Sequence, residues 1–210
     1  MASARRVPTG AQAIRQDGGR MRARRLLITG ASGSGTTTLG RALASLRSVP
    51  HADVDDYFWI PTSPPYTHKR PAEERLALMN QVFLPRDSWI LSGSVVGWGD
   101  SLVDLLDGIV FLTVEPRTRM DRLLSREVRR YGNTIEPGGS NEAAHHDFMD
   151  WARGYDDDQF SGRRRAEHER WMAELRCPVL RLDSAAPVLE LIDAVEKWLN
   201  SERLPDGRGS

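Results

Sequence analysis

The chain has 210 residues, 40% of them hydrophobic and 28% charged, the makeup of one globular domain large enough to bury a core. Its formal net charge is zero, so no overall basic field points to nucleic acid, and no apolar run approaches the ~20 residues that cross a bilayer. The single cysteine, Cys177, cannot form an internal disulfide; ahead of Pro178 and an apolar run it reads as a structural thiol, and a cytoplasmic location is expected.

In chain order, residues 1–24 carry six arginines against one acid, Asp17, and read as a disordered basic extension with no hydrophobic leader core. Leu26–Thr29 is a buried strand running into a Gly-rich turn. Thr36–Arg47 has helical spacing, with Leu39, Leu43 and Leu46 on one face. His51–Asp53 is a short strand. Tyr57–Pro71, broken by Pro61, Pro64, Pro65 and Pro71, is expected to be irregular. A helix follows over Ala72–Leu84, a strand over Trp89–Ser92, a short helix over Ser101–Leu106, and the clearest strand over Ile109–Val114. Arg117–Arg130 is helical, Tyr131–Ser140 a loop, and 141–176 mostly helical. Val179–Leu182 and Val188–Asn200 form a last strand and helix, and 204–210 a frayed tail. Strands alternating with helices imply right-handed βαβ units, hence a three-layer α/β/α fold around a five-stranded parallel sheet. Ligands then bind at the carboxyl ends of the strands, which makes the loops after Thr29, Asp53, Ser92, Val114 and Leu182 the informative ones.

The first of these loops runs Gly30-Ala31-Ser32-Gly33-Ser34-Gly35-Thr36-Thr37-Thr38, between strand and helix. A phosphate loop has Gly, four residues, Gly, Lys and then Ser or Thr in that context. Every element matches except position 36, where threonine stands for lysine. The glycines allow backbone N–H groups to turn inward, and the helix start adds its unpaired amides. Thr37 occupies the position that ligates Mg²⁺. The missing charge leaves a gap: at an effective dielectric near 20 a charge pair at about 4 Å is worth roughly 4 kcal/mol before desolvation. A cation from elsewhere, or a weakened activity, is expected. The alternative is a Gly-rich turn that holds no phosphate.

Ile28-Thr-Gly-Ala-Ser-Gly-Ser-Gly-Thr-Thr-Thr-Leu-Gly40 resembles the phosphate loop of the P-loop nucleotide kinases, the group with adenylate, shikimate and uridine kinases. It is most similar to small bacterial proteins labelled adenylate-kinase-like or AAA-type ATPases, whose loop also reads Gly-Thr-Ser/Thr. The resemblance implies strand order 2-3-1-4-5 in a domain over 25–203, with an acceptor-binding insert (55–87) and a helical lid (131–165). It also implies ATP and Mg²⁺, and a small-molecule acceptor as the other partner of a monomer or homodimer.

His51-Ala-Asp53-Val-Asp55-Asp56-Tyr57 resembles the Asp-Asp-Phe/Tyr segment of uridine-kinase-like enzymes, where an aspartate receives the acceptor hydroxyl's proton. Asp53, Asp55 and Asp56 are the candidates, Asp55 the favoured one; the alternative is a solvated capping turn. Lys69, one of two lysines, stands within the Pro-rich stretch as the leading substitute for the absent loop lysine. After the third strand, Trp98 could stack on a ring and Asp100 could hold Mg²⁺ through water. The lid of the group brings arginines onto phosphates. Arg122, Arg126 and Arg129 share a helix face, Arg126 and Arg129 being preferred, and Arg163, Arg164 and Arg165 form a second cluster. Arg181 is placed near the adenine by position in the group. His145-His146-Asp147 lacks further ligands at zinc-like spacing. The chemistry expected is transfer of the ATP γ-phosphate to a small acceptor; the rivals are a degenerate kinase that senses nucleotide without turnover, and a simple NTPase.

Overall fold

A computed structural model describes residues 24–201. The expected tail at 204–210 and the basic extension as far as residue 23 lie outside that range. Arg24 is buried and opens the first strand, its amide donating to the Ser88 hydroxyl at 3.2 Å.

Five parallel strands form one sheet in the order β2-β3-β1-β4-β5. They are β1 (Arg25–Gly30), β2 (His51–Asp53), β3 (Trp89–Ser92), β4 (Gly108–Thr113) and β5 (Val179–Asp183). Both faces are covered, so the strands read as continuous apolar runs whose side chains alternate between two cores. Leu27, Trp89, Leu91, Ile109 and Phe111 point to one face, beneath the helices α2 (Val54–Phe58), α3 (Ala72–Val82) and α6 (Arg165–Ala173). Leu26, Ile28, Ile90, Val110 and Leu112 point to the other. There they meet Leu39 and Leu43 of α1 (Thr36–Arg47) and Ile192, Val195 and Leu199 of α7 (Val188–Ser201).

The helix α4 (Pro116–Tyr131) begins where Pro116 occupies the first turn and the Glu115 carboxylate accepts from the Thr118 amide at 2.8 Å. Its Leu123 packs on Met149 and Ala152 of α5 (Glu142–Arg153) in a small third cluster.

Two segments depart from the pattern expected of them. Tyr57 and Phe58 close the helix α2 instead of opening the irregular stretch. Asp53 caps that helix by accepting from the Asp55 amide at 3.1 Å, and Asp55 and Asp56 lie in its first turn. These N-terminal signals act before the first proline, Pro61, can interfere. Beyond it the chain doubles back as a strap: Ile60 N–H donates to His68 at 2.8 Å and Arg70 N–H to Phe58 at 2.8 Å. Between α5 and α6, residues 157–164 are not helical. Phe160 fills this break, packed so closely on Gly154 and Gly162 that a Cβ there would lie 2.5 and 2.3 Å from its ring.

His168 anchors α6 to the sheet. It is fully buried against Phe111, with Nε2 2.9 Å from the Ser94 hydroxyl and Nδ1 2.8 Å from the Tyr155 hydroxyl. Burial, and then the nearby Arg163 charge, push its pKa from the usual 6.5 down to about 3. The unfolded chain therefore takes up this proton near pH 6.5, while the folded chain refuses it until about 3. Stability should fall as pH drops through that window, by about 1.4 kcal/mol per pH unit from this group. Urea unfolding of the wild type and His168→Gln between pH 7 and 4 checks this. The difference in stability between the two should shrink steadily towards acid, and parallel curves would refute the assignment.

Candidate active site

The loop from Gly30 to Thr38 joins β1 to α1 and is pressed against β4 and α4. A Cβ on Gly30 would lie 2.5 Å from the Leu112 carbonyl oxygen, and one on Gly33 2.8 Å from that of Arg119. Gly33 and Gly35 have φ of 87° and 89°, left-handed values that glycine adopts without strain. Ala31 is buried and accepts from the Ser34 amide at 3.1 Å, which closes the turn. Gly35 precedes α1 and no side chain caps that helix, so the amides of its first turn are left for a ligand. The Ser34 hydroxyl is buried without a partner among the described residues. Ser32, Thr36 and Thr37 are half-buried at the concave face, and Thr38 is exposed. These features fit a polyphosphate.

β2 and β3 set their carboxyl ends side by side, with Asp53 opposite Ser92 in register. The Thr37 hydroxyl donates to Asp53 Oδ2 at 2.8 Å, and the Ser92 hydroxyl approaches the same oxygen at 3.4 Å. His51 Nε2 lies 2.9 Å from that serine hydroxyl, and its pKa is lowered chiefly by burial. A hydroxyl and a carboxylate at the mouth of a phosphate loop are the hard oxygens that Mg²⁺ takes. Asp55 stands in the first turn of α2. Its side chain is reachable by water, yet protein crowds it. Desolvation, then the neighbouring Asp53 charge, raise its pKa above the ordinary carboxylate range, and Arg163 and Arg126 pull it back. Asp56 is raised for the same first two reasons. Asp100 accepts from the Trp171 indole at 3.2 Å, in a 3-10 turn over Asp100–Leu105.

The cations separate into distinct positions. Lys69 lies on the strap, bridged to Trp59, with Nζ 6.0 Å from the Phe58 ring centre. Arg129 is exposed in the last turn of α4, and Arg126 is half-buried, 3.6 Å from Glu127 and over the Phe148 ring. Arg181 projects from β5 to Glu169 at 2.8 Å. Arg163 is the side chain that reaches the loop, donating from Nη2 to the Ser32 hydroxyl at 2.9 Å. Arg119 is buried beneath it. Its guanidinium bonds the Ala152 carbonyl and the Asp156 carboxylate, each at 2.8 Å, with a longer approach of 3.4 Å to the Ser32 carbonyl. The sequence offers Arg163 only as one member of a basic triplet and does not single out Arg119. The available signal for Arg119 was Pro116, which starts α4 and so sets Arg119 one turn in; for Arg163 it was the spacing Gly154-Phe160-Gly162.

Comparison with known proteins bears on the whole arrangement. The family model AAA_18, described as an AAA domain, matches residues 26–145, more than half of the chain. A Bacillus subtilis (strain 168) protein, the uncharacterized protein YqaC, is 42% identical over 174 residues, covering 83% of this chain and 96% of its own. The chain belongs to this AAA-domain family. Its fold is that of P-loop kinases. The shikimate kinase of Bacteroides thetaiotaomicron superposes with a TM-score of 0.50 at 17% identity, over 84% of this chain and 98% of the other. That of Acinetobacter baumannii, in complex with shikimate, gives 0.50 at 14% identity, over 88% and 97%. In this AAA-domain protein no helix among the described residues is long and apolar enough to cross a membrane.

Because Arg119 ties the phosphate loop, the end of α5 and the turn at Asp156 together, its removal strands Asp156 and opens a void under Gly33. Arg119→Ala should cost about 3 kcal/mol in urea-induced unfolding, against less than about 0.5 kcal/mol for the exposed Arg129→Ala.

Proposed function

We propose that this AAA-domain protein is a small-molecule kinase, which transfers the γ-phosphoryl group of ATP to an acceptor hydroxyl and releases ADP. The observation that carries this reading is the set Thr37, Asp53 and Asp55, which stands at the mouth of a phosphate loop with one carboxylate on the Mg²⁺-ligating hydroxyl and another left to face an acceptor. The two shikimate kinases that share its fold support a hydroxyl-bearing small molecule as the acceptor class.

Amides of Gly30–Thr38 would hold the phosphates, and Thr37 with Asp53 would hold Mg²⁺, which when bound supplies charge neutralisation across them. Asp55 orients the acceptor hydroxyl and takes its proton as the oxygen bonds to phosphorus. Its raised pKa suits that task, since a general base works best when its pKa approaches the working pH. Arg126 faces Asp55 from α4 and offsets charge that develops there. By the resemblance to nucleotide kinases, the turn after β5, with Arg181 in the strand before it, would contact the adenine. Thr36 favours a second reading, a nucleotide sensor without turnover, because the loop's own cation is absent.

Calorimetry with Mg-ATP, followed by an assay of ADP release over a panel of nucleosides, nucleotides, sugars and hydroxy acids, separates the two. Saturable binding and an acceptor-dependent rate are expected. Binding with no turnover on any acceptor leaves the sensor reading, and no binding removes both. Asp55→Asn should lower kcat by roughly 10²- to 10³-fold while ATP affinity stays within about threefold. The wild-type rate should fall on the acid side as Asp55 gains its proton, at a pH above the ordinary carboxylate range, and that limb should vanish in the variant.

A further inference from the structure

We propose that Arg163, delivered by the segment that precedes α6, supplies the positive charge that the phosphate loop lacks at Thr36. The inference rests on the reading of Gly30–Thr38 as a phosphate site.

The geometry singles out this side chain. Arg163 Nη2 donates to the Ser32 hydroxyl at 2.9 Å, so the guanidinium already stands over the loop. Its Nε is buried and bonds to nothing among the described residues, a donor without an acceptor inside a site built for oxyanions. It forms no ion pair within 4.0 Å among those residues. Arg119 by contrast is bound to Asp156, Arg126 approaches Glu127, and Lys69 stands on the strap with its Nζ 6.0 Å from the Phe58 ring centre. Asp55 is the carboxylate whose field Arg163 feels most, and burial, the largest effect on it, works against the cation. A charge held in this way, desolvated and under-paired, gains most from an arriving polyphosphate.

The surroundings hold Arg163 in place. Its guanidinium carbon lies 5.0 Å from the Trp151 ring centre, a cation–π contact that fixes the fork without using its donors. Phe160 wedges between Gly154 and Gly162, and the next residue along, Arg164, is pinned to Glu167 at 3.1 Å. The planar fork donates to Ser32 from Nη2, and its remaining donors would serve phosphate oxygens, a forked geometry that a lysine lacks.

The test measures affinity for Mg-ATP and for tripolyphosphate by calorimetry, in variants checked by circular dichroism and thermal midpoint. Arg163→Met should weaken both by roughly ten- to hundred-fold, the worth of a charged hydrogen bond, and Arg163→Lys should lose less. Thr36→Lys should recover affinity in the Arg163→Met background and add under about threefold to the wild type, where the charge is already present. Unchanged affinity in Arg163→Met, or an equal gain from Thr36→Lys in both backgrounds, overturns the proposal. Should Arg163→Met fail to fold, a large gain from Thr36→Lys in the wild type still overturns it and a negligible one upholds it. A wild type that binds neither ligand brings down the phosphate-site reading itself, a result distinct from these.

Discussion

The chain has no room between the end of β1 and its neighbours, and much of the molecule follows from that. Gly30 lies against the carbonyl of Leu112, and Gly33 against the backbone and side chain of Arg119. A loop pressed on both sides takes its shape from β4 and α4 as well as from its own residues. Its amides are then preorganised without a side chain to hold them, which is what a site for a highly charged, mobile ligand needs. Arg119 extends the constraint outward. The same guanidinium that underlies the loop donates to the Asp156 carboxylate and to the Ala152 carbonyl in the last turn of α5, so the loop and the α5–α6 region share one buried charge.

Asp53 plays a similar double part on the other side. One carboxylate oxygen caps α2 and the other holds the Thr37 hydroxyl. A capping turn and a functional acid are therefore not competing descriptions of this residue. By capping α2 it fixes the first turn, which carries Asp55, and by bonding Thr37 it ties that turn to the phosphate loop. The parallel register of β2 on β3 adds Ser92 and, through it, His51, a layer of hydroxyl and imidazole behind the carboxylate.

The central strands were legible from sequence because, buried on both faces, they are nearly pure apolar runs, as in Trp89–Ser92; the edge strands β2 and β5 mix in His51, Asp53 and Arg181. The phosphate loop was legible because it is local, nine residues that carry their own glycines. α2 was not, since five residues offer no periodicity and only its cap announces it. The cations were the least legible. A lone lysine near the acidic turn draws attention by its rarity, yet proximity along the chain says little about where a long side chain on an irregular strap points. Arg163 reaches Ser32 across a separation of 131 residues, and what delivers it is the packing of one phenylalanine on two glycines.

That separation has a physical consequence. A lysine within a phosphate loop is present whenever the loop is folded. A charge carried on residue 163 is present only when the segment from α5 to α6 is seated. That seating depends on contacts remote from any ligand: Phe160 on its glycines, Tyr155 and Ser94 on His168, and Asp156 on Arg119. On the proposed reading, the grip on phosphate is linked to the docking of a helical segment. Asp55, whose pKa burial and Asp53 raise, is pulled partway back by the same Arg163 charge that the phosphates would claim. Phosphate oxygens that draw this guanidinium towards the loop weaken its hold on Asp55, and the carboxylate's affinity for a proton rises as the nucleotide is engaged. On the proposed reading, Arg163 relocates the loop's charge and also ties the strength of Asp55 as a base to occupancy of the phosphate site.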